Sequence, residues 1–219
     1  MIIDPWLDGN PACPDAFREQ KSIDYIVLTH GHSDHVGSVL PLAKKTKAIV
    51  FANYELAMLL IKDGIPESQV VAMNKGGTAF PPGSEALSIT LTQAFHSSSY
   101  DAADGKTYYA GEACGVVLTL ESGRSIYHAG DTIFFRDMEL IKIRFKPVLA
   151  LLPIGDRFTM GPADAALAAA LIQPRIVIPI HHSTFDMLHG TTTDFVTHLK
   201  KASNEIKAVP LNPGDELAF

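Results

Sequence analysis

The chain has 219 residues, which is enough for one domain with a sizeable hydrophobic core. Hydrophobic residues make up 47% of the sequence and charged residues 19%, as in an ordinary folded globular protein. The formal net charge of −6 argues against a nucleic-acid partner, because such partners are usually met by a basic stripe. No apolar run could span a bilayer and no secretion signal opens the chain, so we expect a cytoplasmic protein without a membrane partner.

Short apolar segments alternate with helical patterns from end to end, with no repeat or long linker, so we predict a single domain over residues 1–219. We expect Pro41 to kink or split the first helix, Asn53 to cap the second and Pro162 to lie in the first turn of the third. In chain order, the predicted elements are a strand at 23–28, a helix at 34–45, a strand at 47–51, a helix at 53–63, a strand at 87–95, a hairpin of strands 115–120 and 125–128, a strand at 148–153, a helix at 162–171, a strand at 176–180, a helix at 193–202, and a last strand with a tail at 209–219.

Polar side chains follow several of the predicted strands, at the point where each strand ends. Strand ends that converge at one rim are where mixed folds place their active sites, so we expect these side chains to lie close together. They are His30, His96, Asp131, Asp156 and His181.

The segment Thr29–His35 stands out because ligand-type side chains fill four of its positions. A catalytic zinc ion typically takes three protein ligands and leaves one position for water, so four candidates indicate more than one ion. Imidazole and carboxylate groups suit zinc, and also manganese or iron. Burial of these groups without partners would cost free energy, so packing does not explain them. The four side chains are those of His30, His32, Asp34 and His35.

The spacing in this segment separates the four side chains into two pairs. His30 and His32 leave an extended strand end on one side, with Gly31 allowing a tight bend between them. Asp34 and His35 follow on the first turn of a helix and point elsewhere. The segment can therefore supply ligands to two neighbouring ions.

Other strand ends must complete the coordination of both ions. His96, Asp131 and His181 are the candidates, and the carboxylate of Asp131 can bridge the two ions. Helix capping is the alternative role for Asp34 and for Asp131. Two ions about 3.5–4 Å apart acidify a shared water, so that hydroxide is available near neutral pH.

The Thr29–His35 segment resembles the His-x-His-x-Asp-His signature of the metallo-β-lactamase superfamily. More narrowly, the chain resembles a branch of uncharacterised metal-dependent hydrolases related to L-ascorbate-6-phosphate lactonase. The resemblance implies an α/β fold, namely an αββα sandwich of two mixed β-sheets flanked by helices. The segments that follow the family's order are Ile2–Pro5, Thr29–Gly37, Ala94–Ser99, Tyr127–Thr132, Pro153–Asp156, Thr159–Pro162 and Ile178–His181.

The same resemblance implies two divalent metal ions as cofactors, with zinc as the first choice and manganese or iron as alternatives. It also implies that Asp4 steadies the ligand segment by hydrogen bonds. The implied ligands are His30, His32 and His96 for the first ion, Asp34, His35 and His181 for the second, and Asp131 as the bridge.

Asp34, a predicted metal ligand, and His182 are the candidate catalytic residues. His181 and His182 are adjacent, so their side chains diverge at an extended strand end and only one should contact a metal. His182 then faces the substrate or donates a proton. We expect His128 to be a structural hydrogen-bonding residue. Asp156 is a candidate for contact with a ligand or the substrate, with turn formation as its alternative.

Members of the resembling family usually have an earlier strand with a Gly-His-Ser type motif before the Ile-Asp-Pro segment. This chain begins at Ile2–Pro5 after its first Met. We therefore expect a sheet that lacks the usual first strand. An exposed sheet edge favours pairing with another chain, so we also expect a homo-oligomer.

The predicted function is hydrolysis of an ester-type bond, such as a phosphoester or lactone, in a small molecule by a metal-bridging hydroxide. One alternative is an iron-dependent redox enzyme of the same fold, although His32 stands where the resembling di-iron oxidases usually have Glu. The other alternative is a non-catalytic metal-binding domain, but degenerate members should have lost ligands and this chain retains all seven.

Overall fold

The computed structural model describes residues 1–84 and 86–219, and the smaller of its two large β-sheets is wholly parallel within these residues. Parallel neighbours need crossover connections, and helices supply them here. The strands, in chain order and in spatial order, are β1 (Ile2–Ile3), β2 (Tyr25–Val27), β3 (Ile49–Asn53) and β4 (Val70–Met73). The helices of this half are α1 (Asp15–Arg18), α2 (Ser33–Val36), α3 (Val39–Thr46) and α4 (Tyr54–Lys62), and a 3-10 turn at Glu67–Gln69.

The larger sheet combines antiparallel and parallel neighbours. The later strands are β5 (Thr78–Ala79), β6 (Ser88–Gln93), β7 (Ser99–Asp101), β8 (Thr107–Tyr109), β9 (Cys114–Thr119), β10 (Ser125–His128), β11 (Leu149–Pro153), β12 (Ile176–Ile180) and β13 (Lys207–Ala208). Across the described part of the chain the sheet has the order β13-β12-β11-β10-β9-β6-β5, and β7 pairs with β8 separately. The pairs from β10 to β13 are parallel. The helices of this half are α5 (Glu139–Phe145), α6 (Pro162–Ile172) and α7 (Thr192–Ala202), with a 3-10 turn at Arg136–Met138 before α5.

The two sheets pack face to face because their strands alternate apolar side chains between two faces. Val27 and Phe51 of the smaller sheet meet Ile89 and Val116 of the larger sheet in one buried cluster. Ile26, the neighbour of Val27, belongs to a different cluster with apolar residues of α3 and α4. The outer face of the smaller sheet is therefore covered by helices.

The larger sheet repeats this arrangement on its own outer face. Val117, the neighbour of Val116, packs in a cluster with Ala165 and Ala169 of α6 and Phe195 of α7. Helices, sheet, sheet and helices thus form four layers, which confirms the implied αββα sandwich. The smaller sheet differs from the expected mixed pattern in having only parallel pairs among its described strands.

The expected helix at 34–45 is two helices, and the break lies before Val39 rather than at Pro41. At the break, Ser38 N donates a hydrogen bond to Pro5 O at 2.9 Å, which ties the segment to the start of the chain. Pro41 lies in the first turn of α3, where a backbone N–H has no helical partner, so the proline is tolerated.

Local chemistry determines where two other elements begin or end. Asn53 caps α4 as expected, since its Oδ1 accepts a hydrogen bond from Leu56 N at 3.0 Å. The expected last strand at 209–219 is wrong, because the final strand is β13 and ends at Ala208. Pro210 has no backbone donor to offer a sheet, so strand pairing stops before it.

The sequence did not predict several short or atypical elements. Leu140 and Ile143 of α5 are exposed, which hides the helical pattern that buried apolar residues would show. The strands β1, β5 and β13 have two residues each, too few for a period to be read. β1 lies at the edge of the smaller sheet beside β2. None of the helices described is long and apolar enough to cross a membrane.

Candidate metal centre

The seven predicted ligands meet at one edge of the molecule, and both sheets contribute to the group. The smaller sheet supplies the segment that follows β2, with its four ligand-type side chains. The larger sheet supplies His96 after β6, Asp131 after β10 and His181 after β12. The expectation that strand ends converge is met for these residues.

Three histidines form the first group of ligand atoms, which we call triad A: His30, His32 and His96. One ring nitrogen of each lies within 4.8 Å of the others. His30 Nε2 is 3.0 Å from His32 Nδ1, and the ring of His96 lies 5.1 Å from each of the other two rings, centroid to centroid. The two histidines of the segment therefore point the same way, towards a third from the opposite sheet.

Asp34, His35 and His181 form the second group, which we call triad B. Their ligand atoms also lie within 4.8 Å of one another. Asp34 Oδ2 is 3.7 Å from His35 Nε2 and 3.6 Å from His181 Nε2. Asp34 lies inside α2, whose cap position is His32, so Asp34 does not occupy the capping position that was its alternative.

Asp131 lies between the two triads. Its Oδ2 is 3.7 Å from His96 Nε2 in triad A, and 3.6 Å from His35 Nε2 and 3.2 Å from His181 Nε2 in triad B. Its side chain is 5% exposed. One buried carboxylate oxygen is thus shared by both triads, which is the position that a bridging ligand needs.

The donor set fits a divalent metal by two criteria. His35 Nε2 is buried and, among the residues described, has no hydrogen-bond partner, which is costly unless a ligand takes that atom. Ligands about 2.1 Å from a tetrahedral metal lie roughly 3.4 Å from one another. The separations within triad B and to Asp131 are 3.2–3.7 Å.

Asp4 holds the ligand segment from behind, as the resemblance implied. Its Oδ1 accepts a hydrogen bond from Thr29 N at 2.8 Å, and its Oδ2 accepts one from Thr29 Oγ1 at 2.5 Å. Oδ2 also lies 2.9 Å from His35 Nδ1, so the ring proton is held on Nδ1 and Nε2 is left for a metal. The sequence interpretation missed Thr29, whose hydroxyl also lies 3.0 Å from His30 Nδ1.

The histidines of triad A are kept uncharged by their surroundings. Burial lowers the pKa of His30 well below its ordinary value, and the nearby His35 lowers it further. Burial is also the main cause of the lowered pKa of His32 and of His96. Neutral imidazole is the form that binds a metal, so triad A is prepared for one at neutral pH.

Triad B has the opposite electrostatics. Burial disfavours the charged form of His35, but Asp4 and Asp131 outweigh it and raise the pKa of His35 well above its ordinary value. The pKa of His181 is raised against burial by Asp34 and Asp131. Burial opposes the ionised form of Asp34 too, yet His181 and His35 lower its pKa to about 2. The pKa of Asp131 is likewise held below its usual range, against burial, by the same two histidines.

Gly31 is required by close packing rather than by a bend. A Cβ at this position would lie 2.7 Å from Ala110 Cβ and 2.8 Å from Ser99 O. Ser98 Oγ accepts a hydrogen bond from Gly31 N at 3.2 Å and donates one to Ala110 O at 3.2 Å. The loop before β7 is therefore packed directly against the backbone that carries triad A.

A left-handed turn separates the two adjacent histidines after β12. His181 has a φ of +54°, and its carbonyl oxygen lies 2.3 Å from the position of a Cβ at Gly155, which only glycine allows. His181 enters triad B, whereas His182 lines a groove with residues 210–216 and has its Nδ1 3.0 Å from Ser183 Oγ. The structure does not bring His182 into either triad, and its catalytic role stays a prediction.

Two other singled-out residues have structural roles. His128 Nδ1 accepts a hydrogen bond from Gly130 N at 3.1 Å, in line with the expectation for it. Asp156 has a φ of +64°, its carboxylate accepts from Arg157 N at 2.7 Å, and its carbonyl accepts from Thr159 N at 3.3 Å. Asp156 therefore builds a turn, which was the alternative to a ligand or substrate contact.

Comparison with known proteins places this geometry in a family. Residues 1–182 match the model of the beta-lactamase superfamily domain. A UPF0173 metal-dependent hydrolase of Rubrobacter xylanophilus is 44% identical over 217 residues, which are 99% of this chain and 88% of that protein. Another, of Myxococcus xanthus, is 48% identical over 221 residues, covering 100% of this chain and 76% of that protein. The solved structure of Igni18, a novel metallo hydrolase from Ignicoccus hospitalis, matches with a TM-score of 0.86 at 33% identity, covering 100% of this chain and 90% of that one.

Proposed function

Because this chain belongs to the beta-lactamase superfamily and is a metal-dependent hydrolase, we propose that it binds two divalent ions and hydrolyses an ester-type bond of a small molecule. Zinc is the preferred ion, with manganese or iron as alternatives. The observation that carries the proposal is Asp131, whose Oδ2 lies 3.2–3.7 Å from histidine ligand atoms of both triads. A site for one ion would need only one triad.

A pair of such ions, when bound, acidifies a shared water and polarises the oxygen of a carbonyl or phosphoryl group. The residues of the chain fix where this happens. Asp131 sets the spacing between the triads, and Asp4 keeps His35 in the orientation that presents Nε2. A cavity of about 210 Å³ lies against triad B, with Trp6 and Phe185 on its wall, and gives room for part of a small molecule.

Asp34 and His182 handle protons in this proposal. The side chain of Asp34 is 29% exposed against 5% for Asp131, so Asp34 is the carboxylate that reaches the open side of the site. His182 donates a proton to the leaving group. We expect His182→Gln to keep its metal and to slow alkyl esters about tenfold or more, while p-nitrophenyl esters, whose leaving group needs no proton, are little affected. Equal slowing of both ester types would remove His182 from this role.

The decisive experiment measures metal content first and hydrolysis second. Purified protein should hold about two zinc ions per chain and cleave at least one of a carboxylic ester, a lactone and a phosphodiester. A chelator should abolish the activity and zinc should restore it. Metal-free protein that stays inactive after zinc, manganese or iron is added would overturn the proposal. Iron content together with oxygen-dependent turnover would instead support the redox alternative.

We also propose that the chain forms a homo-oligomer through β1. Ile2 and Ile3 pair with Ile26 and Val27 on one side, and among the described strands β1 is the edge of its sheet. Open backbone donors and acceptors at such an edge favour pairing with a second chain. A single monomeric species in sedimentation at high protein concentration would contradict this proposal.

A further inference from the structure

Three large apolar side chains stand exposed on three loops, two of which also carry ligands of the metal centre. Phe95 is 49% exposed, Ile133 is 53% exposed and Phe158 is 48% exposed. Phe95 directly precedes His96 of triad A, and Ile133 follows Asp131 by two residues. Exposed apolar side chains grouped in one place usually mark a binding surface. We call Phe95, Ile133 and Phe158 the apolar rim.

Thr132 ties the three loops together. Its hydroxyl accepts a hydrogen bond from Phe95 N at 3.0 Å, and its carbonyl accepts one from Met160 N at 3.0 Å. Ile133 N in turn donates to Phe95 O at 3.3 Å. Since Thr132 is buried and follows Asp131 directly, the rim is held at a fixed place relative to the bridging carboxylate. Such rigid support is what a binding site next to a reactive centre requires.

The loop that carries Phe158 is shaped to turn this side chain outward. Asp156 and Arg157 have φ values of +64° and +53°, a left-handed backbone conformation that residues other than glycine rarely adopt. The guanidinium carbon of Arg157 lies 5.4 Å from the centre of the Phe158 ring. This cation lies over a rim side chain, so the experiment must separate the effect of its charge from that of the apolar surface.

We propose that the apolar rim binds an uncharged alkyl or aryl group of the substrate, so that the preferred substrates are esters with a chain of several carbons. The inference rests on the proposed hydrolysis and adds the chemistry of the group beside the scissile bond. Continuity with the metal centre carries it, because the rim adjoins His96 and Asp131 through the backbone. The rim side chains have no charge and no hydrogen-bonding group, so they select for apolar surface.

The first test compares p-nitrophenyl hexanoate with p-nitrophenyl acetate on the zinc-loaded protein. Four additional methylene groups, partly buried on the rim, should raise kcat/KM about tenfold. Phe158→Ala and Phe95→Ala should each reduce this preference about threefold to fivefold, mainly through the KM for the hexanoate. Leu167→Ala is the matched control, because Leu167 is also 48% exposed but lies on α6. Equal kcat/KM values for the two esters in the unaltered protein would overturn the inference.

A second test needs neither metal nor turnover. Ligand-observed NMR should detect saturable binding of 2-octanone, but not of 2-butanone, to metal-free protein. Binding should weaken in the two Phe variants and persist in Leu167→Ala. If neither ester is hydrolysed while 2-octanone binds at the rim, the proposed function and the ester preference fail together, and only the binding of an apolar group at the rim stands. If both esters are hydrolysed equally and 2-octanone does not bind, the inference fails and the proposed function stands.

Two further outcomes would assign the rim to another occupant and overturn the inference. Arg157→Gln should leave the hexanoate preference unchanged, whereas its loss in that variant would show that a charge, not apolar surface, selects the substrate. Sedimentation of Phe158→Ala should match that of the unaltered protein. A shift from dimer to monomer with unchanged ester preference would identify the rim as a contact between two copies of this chain.

Discussion

Triad A and triad B lie side by side, share Asp131 and differ in charge. Triad A consists of three histidines whose pKa values are lowered, mainly by burial. Triad B holds a carboxylate and two histidines whose pKa values are raised, because neighbouring carboxylates outweigh the effect of burial. One short sequence segment thus feeds a site of histidines that favour the neutral form and a site whose histidines hold their protons more tightly.

The difference comes from burial in triad A and from nearby carboxylates in triad B, where Asp4 and Asp131 raise the pKa of His35 and Asp34 and Asp131 raise that of His181. His30 Nδ1 meets the neutral hydroxyl of Thr29 at 3.0 Å, whereas His35 Nδ1 meets the carboxylate of Asp4 at 2.9 Å. A carboxylate behind a histidine raises the basicity of the ring, which strengthens both its metal binding and its hold on a proton. The carboxylates around triad B therefore make its histidines the last to release their protons as the pH rises.

Asp131→Ala has the largest expected effect, because it removes the one ligand that the two triads share. We expect loss of both ions and a fall in kcat/KM of roughly 10³-fold or more, as when a principal electrostatic group is removed. Metal analysis and ester hydrolysis measure this. Asp137→Ala changes an exposed carboxylate and is the control. Full activity in the Asp131 variant would falsify the bridging role.

Asp4→Ala should separate the triads. It removes the acceptor behind His35, and loss of such a partner typically weakens metal binding 10- to 100-fold. We expect titration with zinc to show the triad B site weakened by that amount and the triad A site weakened less, because Asp4 contacts His35 directly but reaches His30 only through Thr29. Asp8→Ala, an exposed carboxylate nearby in sequence, is the control. Equal weakening of both sites would show that the triads do not act separately.

Gly31→Ala should act on triad A instead. The added Cβ would meet Ala110 Cβ at 2.7 Å and Ser99 O at 2.8 Å, so the loop must shift. Overpacking of this kind costs about 1–3 kcal/mol of the free energy of unfolding. Denaturant unfolding would measure the loss of stability, and zinc titration would measure the weakened binding at triad A. Gly161→Ala, whose Cβ would meet its nearest atom at 3.4 Å, should change the stability little.

A change of pH should empty the triads in order. Protons compete with metal for a histidine when the pH is below the pKa of that histidine. The raised pKa values of the triad B histidines place this competition above pH 6.5. The lowered pKa values of the triad A histidines place it below pH 6.5. As the pH falls from 8 to 5, triad B should lose its ion first. Metal content after dialysis at each pH checks this, and simultaneous loss of both ions would break the comparison.

Much of the site could be predicted from the sequence because its ligands follow strands and share a short segment. The division of Thr29–His35 into two pairs needed only the change from strand to helix after His32. The cap at Asn53 was predictable for the same reason, since the chemistry is local. Asp131 was a candidate bridge from its place after a strand, the family resemblance implied the same role, and its distances to both triads agree with it.

The rest depends on contacts that no local pattern encodes. Thr132 joins three loops through both its hydroxyl and its carbonyl, and its partners lie 37 and 28 residues away in sequence. The break before α3 depends on a hydrogen bond from Ser38 N to Pro5 O, and neither residue type predicts such a bond. The place of His182 is fixed by the left-handed φ of His181, and a strand reading could not predict that turn.

Each triad draws ligands from both β-sheets, with two from the segment after β2 and one from a loop of the larger sheet. Bound ions would therefore cross-link the two halves of the sandwich between residues that are far apart in the chain. The unfolded chain cannot assemble such a set, so the free energy of binding becomes free energy of folding. Bound metal therefore adds to the free energy of unfolding, and its removal by a chelator should lower the melting temperature of the folded protein.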